Sequence, residues 1–73
     1  MKFDRIIVEP TVCMGQPIIR GTRITVAVVL RMTAAGMSPA EIVRAYPELC
    51  EEDIRHAAAY GAWLASEQTR LFV

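Results

Sequence analysis

Two short runs of β-branched residues near the start of the chain predict a β-hairpin. The runs are RIIV at 5–8 and PIIR at 17–20, and the loop between them contains Pro10 and Gly15, which interrupt regular structure. Since strands joined by such a loop pair antiparallel, a hairpin is expected over residues 5–20. A lone two-stranded hairpin is barely stable in water, so it must pack on helices or pair with a strand from another copy.

A mostly apolar stretch then predicts the first helix. Gly21 breaks the second strand, and the hydroxyl of Thr22 or Thr25 can cap the helix that follows. The segment VAVVLRMTAA at 26–35 has almost no polar face, which is typical of a central, buried helix. Gly36 suits the left-handed conformation that ends such a helix.

The motifs SPAE and YPEL mark the two ends of a short second helix. Ser38 is suited to the N-cap, Pro39 to the first helical position, and Glu41 to the return contact of a capping box. The residue before Pro47 is pushed out of helical geometry, so the helix ends there.

A longer third helix begins with the acidic residues at 51–53, which the helix dipole favours, and runs to about residue 68. At 100° per residue, small and apolar side chains form one stripe along it, which we expect to face the core. The members of this stripe are Ile54, Ala57, Ala58, Gly61 and Ala65. The predicted fold is therefore mainly α, with three helices and an N-terminal β-hairpin.

The opposite side of the third helix carries the only tryptophan of the chain, an unusual position in a monomer. His56, Tyr60 and Trp63 lie there, and we expect a protein interface, since aromatic anchors often dominate binding energy. Alternatively, Tyr60 and Trp63 pack against the hairpin of the same chain. The apolar side chains Leu71 and Phe72 near the end of the chain are further interface candidates, in a frayed tail or a segment that docks on a partner.

Length and composition add an expectation of self-association. The chain has 73 residues, 53% of them hydrophobic, so it is one domain whose apolar surface is not all expected to fit in its core. The domain 1–73 divides into the hairpin at 5–20, a three-helix core at 25–68 and a tail at 69–73. A homo-oligomer, most simply a dimer, or another protein partner would cover the remaining surface.

Chemistry-bearing residues are few. Cys13, Cys50 and His56 are too few for a closed four-ligand zinc site unless carboxylates complete it, and the two cysteines are most simply small apolar fillers. We expect no cofactor, no metal and no enzymatic activity, because no nucleophile can be matched with its base. Residues 1–20 lack the apolar core of a signal peptide and no run is long enough to cross a membrane, so a cytoplasmic protein with reduced thiols is expected.

The charges neither support nor exclude contact with DNA. Eight basic residues, seven of them arginine, balance eight acidic ones. Residues 38–68 have the outline of a helix-turn-helix, although packing alone explains many such pairs. Its second helix starts with acidic residues that phosphates repel, so DNA binding would need a dimer and arginines from elsewhere. The candidate DNA-binding residues are Arg20, Arg23, Arg44 and Arg55. For Arg23, an ion pair with Glu41, Glu48 or Asp53 is the favoured alternative.

The segments GQPIIRGTRITV and AAGMSPAEIVRAYPELCEEDIRHAAAYG closely resemble the bacterial family catalogued as domain of unknown function 433. The family pattern is close to G-[KT]-P-x-I-x-G-T-R-[IV]-x-V followed by a-a-G-x-S-x-x-E-I-x-x-x-Y-P-x-L-[ST]-x-E-D-I, and the resemblance spans about residues 6–62. Gln16 stands where lysine is frequent, which removes a basic residue from the loop. Cys50 stands where threonine or serine is usual.

This resemblance implies a homeodomain-like helix-turn-helix core behind a small hairpin. It also implies an antitoxin that binds and silences a PIN-like nuclease encoded beside it, and that binds its own operator DNA as a dimer. The residues themselves leave open a second hypothesis, an oligomeric interaction module that does not bind DNA.

Overall fold

Three α-helices follow an N-terminal hairpin, as the pattern of apolar residues predicts. The computed structural model describes residues 3–70, and side chains as far as residue 67. The elements are β1 (Ile6–Val8), β2 (Pro17–Ile19), α1 (Val26–Ala34), α2 (Pro39–Ala45) and α3 (Glu51–Arg70). The mainly α architecture with a hairpin is confirmed.

The hairpin is antiparallel, and the loop that joins its strands contains a left-handed turn at Cys13–Gly15, where all three residues have positive φ. Ile6 pairs with Ile19 and Ile7 with Ile18, so both members of the first pair turn toward the helices and are buried. Each strand is one residue shorter than the sequence predicts. Packing on α1 and α3 supplies the support that a two-stranded sheet lacks by itself.

Thr22 and Thr25, in the segment between β2 and α1, have different structural roles. Gly21 adopts φ +78°, a left-handed conformation that other residues rarely adopt. Thr22 donates its hydroxyl hydrogen to the Ile19 carbonyl at 2.8 Å, which stabilises this corner. The Thr25 hydroxyl accepts from the Val28 N–H at 3.1 Å and caps α1. Thr25 is therefore the N-cap, and Thr22 belongs to the turn.

The predicted ends of α2 are confirmed. The Ser38 hydroxyl accepts from the Glu41 N–H at 3.2 Å, and the Glu41 carboxylate accepts from the Ser38 N–H at 2.9 Å, which completes the capping box. Before Pro47, Tyr46 leaves helical geometry and α2 ends at Ala45. α3 begins after five further residues, at Glu51.

Helix α1 lies at the centre of the fold, where it packs against β2, α2 and α3. Its side chains are less completely buried than its apolar sequence predicts, because only Val26 and Val29 are fully enclosed. Leu30 contacts α3 at Gly61, where an added Cβ would come within 2.9 Å of a Leu30 methyl group. The absence of a side chain at Gly61 thus lets the two helices approach closely.

The face that α3 buries is rotated from the predicted stripe. Ile54 and Ala57 are buried as expected, whereas Ala58 and Ala65 are exposed, so the prediction is wrong for these two alanines. Tyr60, placed on the opposite side by the sequence, packs against the core. The rotation follows from the contacts of the first turn of α3, described below.

Candidate interaction surfaces

Three aromatic rings meet where the start of the chain crosses the middle of α3. Phe3 contacts Tyr60 edge-to-face with ring centroids 5.1 Å apart, and it lies 5.9 Å from Trp63. The rings of Tyr60 and Trp63 are 5.8 Å apart, as their spacing on one side of a helix allows. Such offset pairs stabilise one another beyond their buried area, so each ring holds the others in place.

Part of this cluster stays in contact with solvent. Trp63 is 43% exposed and the adjacent Leu64 is 39% exposed, although both are large apolar side chains. We call Phe3, Tyr60, Trp63 and Leu64 the aromatic surface. The Trp63 ring packs on Phe3 and Tyr60 of its own chain, which lie outside the hairpin at 5–20, and it still presents apolar area outward. The expectation of a protein interface stays a prediction. Phe3 was missed by sequence reasoning, and only its aromatic character could have marked it.

The other predicted interface residues lie in different settings. His56 is half-buried, one turn before Tyr60 on the same side of α3. Leu71 and Phe72 lie outside the described residues. The aromatic surface is therefore made by one helix and the residues that precede β1.

A buried carboxylate organises the beginning of α3. Asp53 is only 3% exposed, and its side chain forms an ion pair with Arg5 while accepting the Cys50 N–H at 3.0 Å. Burial raises the pKa of Asp53, but the hydrogen bonds from Arg5 and Cys50 outweigh it, and the pKa lies below its ordinary value. The Arg5 guanidinium also donates to the Cys50 sulfur at 3.1 Å. These contacts hold the hairpin against the first turn of α3 and turn Asp53 inward.

This pair corrects two expectations from the sequence. The partner of Asp53 is Arg5 rather than Arg23, and among the side chains described, from residue 3 to residue 67, Arg23 forms no ion pair. Its backbone carbonyl instead accepts from the Cys13 thiol at 3.3 Å. Cys50 is exposed, so it is not the apolar filler that the sequence favours, whereas Cys13 is half-buried.

The candidate DNA-binding arginines are exposed and distributed over several parts of the fold. Arg20 lines a concavity of about 300 Å³ together with Asp4, Arg5 and Asp53. Arg23, on the other side of Gly21, lines a different groove of about 550 Å³ beside Glu9 and Glu48. Each of these arginines thus shares its concavity with carboxylates.

The remaining two arginines belong to the helix-turn-helix. Arg44 lies in the last turn of α2 and Arg55 in the second turn of α3, and both are exposed. The exposed charges that precede Arg55 at the start of α3 are Glu51 and Glu52.

Within residues 3–67 no group of three or more His, Cys, Asp or Glu side chains is placed to hold a metal ion. No helix in the described part of the chain is long and apolar enough to cross a membrane.

The hairpin leads through a capped corner into the central helix α1, and the helix-turn-helix pair α2 and α3 follows. Together these elements form a small, mainly α domain. The model of the family described as Protein of unknown function (DUF433) matches residues 6–61, and the chain belongs to this family. Among solved structures it is similar to a DUF433 member protein from Anabaena variabilis ATCC 29413, with 33% sequence identity and a TM-score of 0.79. The match covers 90% of this chain and 65% of that protein, so the chain spans about two thirds of the length of its relative. Comparison with the curated proteins finds no match.

Proposed function

We propose that this protein is a cytoplasmic antitoxin-like regulator that binds and neutralises a PIN-like nuclease and binds its operator DNA as a dimer, without catalysis of its own. The observation that supports the proposal most directly is the exposed part of the aromatic surface. Its partner would be a protein with an apolar pocket that receives Trp63 and Leu64.

The chemistry of the aromatic surface favours a protein partner. Tryptophan and tyrosine are enriched among the residues that dominate binding energies, because they bury a large area with few rotatable bonds. Trp63 is held by Phe3 and Tyr60 before any partner arrives, so its ordering adds little entropic cost on binding. Leu64 extends the same apolar area along the helix.

DNA binding receives weaker support. The exposed arginines carry the forked donors that suit phosphate, but those of the hairpin corner share concavities with carboxylates. Glu51 and Glu52 would face phosphates if α3 entered a groove in the usual way. These charges favour the second candidate function, an oligomeric protein-interaction module that does not bind DNA.

Neutralisation is tested by producing the protein together with a PIN-like nuclease encoded beside its gene. We expect the pair to co-purify and the nuclease to lose activity on RNA. Trp63→Ala should abolish both effects with the helical circular dichroism unchanged, whereas Ala62→Ser, at an exposed neighbouring position, should preserve them. Full nuclease activity in a stoichiometric mixture of the two native proteins would refute the antitoxin role.

Operator binding is tested by a mobility shift with the DNA upstream of the gene, over salt concentrations from about 50 to about 200 mM. A regulator whose arginines contact phosphates should bind less tightly as salt increases, because each contact releases counterions. The substitution Arg55→Gln should then reduce the slope. Absence of a shift at the lowest salt concentration would support the interaction module instead.

A further inference from the structure

The two edges of the hairpin differ. On the outer side of β2, Ile18 forms an isolated bridge with Thr25, and the Ile19 N–H donates to the Ile24 carbonyl at 2.9 Å. The sheet within the described residues contains only β1 and β2, so no strand of residues 3–70 covers the outer side of β1. Uncovered edges readily pair with another chain unless charges, prolines or bulges prevent it.

The backbone groups at this edge can be assigned from the pairing. The Arg20 N–H donates to the Arg5 carbonyl at 2.8 Å, and bonding directions alternate along an antiparallel ladder. The Ile7 groups therefore point toward β2, and those of Ile6 and Val8 point toward the open edge. The Ile6 N–H already donates to the Phe3 carbonyl at 3.0 Å, which leaves the Ile6 carbonyl and both the N–H and the carbonyl of Val8 for a partner. Val8 is 54% exposed.

We propose that β1 pairs antiparallel with β1 of a second copy of this chain, with Ile7 opposite Ile7 of that copy. The two hairpins would then form one four-stranded sheet about a two-fold axis. In this register the Val8 N–H of each copy donates to the Ile6 carbonyl of the other, while each Val8 carbonyl faces an Ile6 N–H that already donates to Phe3. The proposal concerns self-association alone and leaves the aromatic surface free for another protein.

Charge complementarity selects this register. With Ile7 at the two-fold axis, pairing that continues one residue beyond each end of β1 sets Arg5 of one copy opposite Glu9 of the other, and the same pair recurs on the other side of the axis. Opposite charges at facing positions stabilise paired strands. Glu9 is exposed, and the Arg5 side chain keeps 41% of its surface exposed despite its ion pair with Asp53.

The neighbouring registers that keep the same edge groups facing each other are less favourable. Placing Ile6 opposite its copy brings together two N–H groups that are already donated to Phe3, and it sets Arg5 against Ile7. Placing Val8 opposite its copy sets Glu9 against Ile7. In either case a charged side chain faces an apolar one, and the attraction between Arg5 and Glu9 is lost.

Disulfide trapping tests both the contact and its register. In a Cys13→Ser, Cys50→Ser background, Ile7→Cys places two thiols at facing positions within disulfide reach, whereas Val8→Cys does not. We expect mild oxidation to give a covalent dimer of the Ile7→Cys chain, with Val8→Cys remaining largely monomeric. Preferential cross-linking of Val8→Cys, or no cross-link from either variant, would overturn the proposed pairing.

Sedimentation experiments on the otherwise native chain complete the test, because they measure the dissociation constant of the dimer. They use two substitutions that should leave the hairpin within each chain intact. Glu9→Arg should raise the dimer dissociation constant by roughly tenfold or more, because two symmetry-related attractions become repulsions. Val8→Pro should weaken the dimer further by removing both intermolecular donors. Glu51→Arg makes the same change of charge away from the edge and is the control for Glu9→Arg. Val8→Thr keeps the backbone N–H and is the control for Val8→Pro. A native chain that stays monomeric at every concentration, or variants that dimerise as well as their controls, would refute the proposal.

Discussion

The two ends of helix α3 differ in how completely their side chains are buried. Its first turns are enclosed, with Asp53, Ile54 and Ala57 turned inward and the carboxylate of Asp53 bound by Arg5 and Cys50. From Tyr60 onward the same helix keeps large apolar side chains partly exposed, and it contacts the rest of the fold through aromatic rings and through Gly61, which lies against Leu30. We therefore expect stability to depend mainly on the beginning of α3, and the proposed binding of a protein partner to depend on its later turns.

The largest expected effect comes from removing the buried carboxylate. Asp53→Ala should lower the free energy of unfolding by about 3 kcal/mol, since it deletes a helix cap and the charge-assisted hydrogen bonds from Arg5. Urea denaturation followed by circular dichroism measures this loss. Glu52→Ala, at the exposed neighbouring position, should change the value by no more than about 0.5 kcal/mol. Equal decreases in the free energy of unfolding of the two variants would show that the buried contacts of Asp53 do not stabilise the fold more than an exposed carboxylate does.

The same carboxylate should make stability depend on pH. The pKa of Asp53 is lower in the folded chain than its ordinary value, so its contribution is present above that ordinary value, about 3.9, and is lost as the pH falls through the lowered pKa. The melting temperature of the native chain should therefore decrease on acidification below about pH 4. Asp53→Asn should be less stable at neutral pH and lose less of its stability in acid. An unchanged pH profile in this variant would contradict the assignment.

Sequence reasoning succeeds where the deciding interaction is local. The capping box of Ser38 and Glu41 joins residues three positions apart, and the effect of Pro47 falls on its immediate neighbour. The antiparallel hairpin likewise depends on strands that are close in sequence. These features could be predicted because each follows from the stereochemistry of a few adjacent residues.

The orientation of α3 could not be predicted because it depends on distant residues. Arg5 and Asp53 are 48 positions apart, and no local pattern distinguishes Asp53 from the two glutamates before it. The helical periodicity places the small apolar residues of α3 on one side of the helix. It therefore predicts that Ala58 and Ala65 face the core and that Tyr60 does not. Phe3 was missed for the same reason, since its contacts join the start of the chain to the middle of α3.

A smaller loss of stability is expected on the exposed half of the helix. Trp63→Ala should lower the free energy of unfolding by about 1.5 kcal/mol, well below the 3–5 kcal/mol typical of a fully buried tryptophan, because much of the ring is already in contact with water. Thermal and urea denaturation measure this value. In the same variant binding of the nuclease should be lost, so stability and binding separate at this residue. A loss above about 3 kcal/mol would assign Trp63 to the core instead.

The smallest effect is expected at Gly61, which lies between the two halves of α3 and against α1. Gly61→Ala should change the free energy of unfolding by less than about 0.5 kcal/mol, because a gain of about 1 kcal/mol in helix propensity is offset by displacing the Leu30 methyl group that lies 2.9 Å from the added Cβ. That methyl group ends a flexible, half-buried side chain and can move a little. Gly61→Leu cannot be accommodated in the same way and should lose about 2 kcal/mol, measured by urea denaturation. If Gly61→Ala is as damaging as Gly61→Leu, Leu30 is fixed and the contact between α1 and α3 is tighter than its side chains suggest. If neither substitution matters, the close approach of the two helices does not contribute to stability.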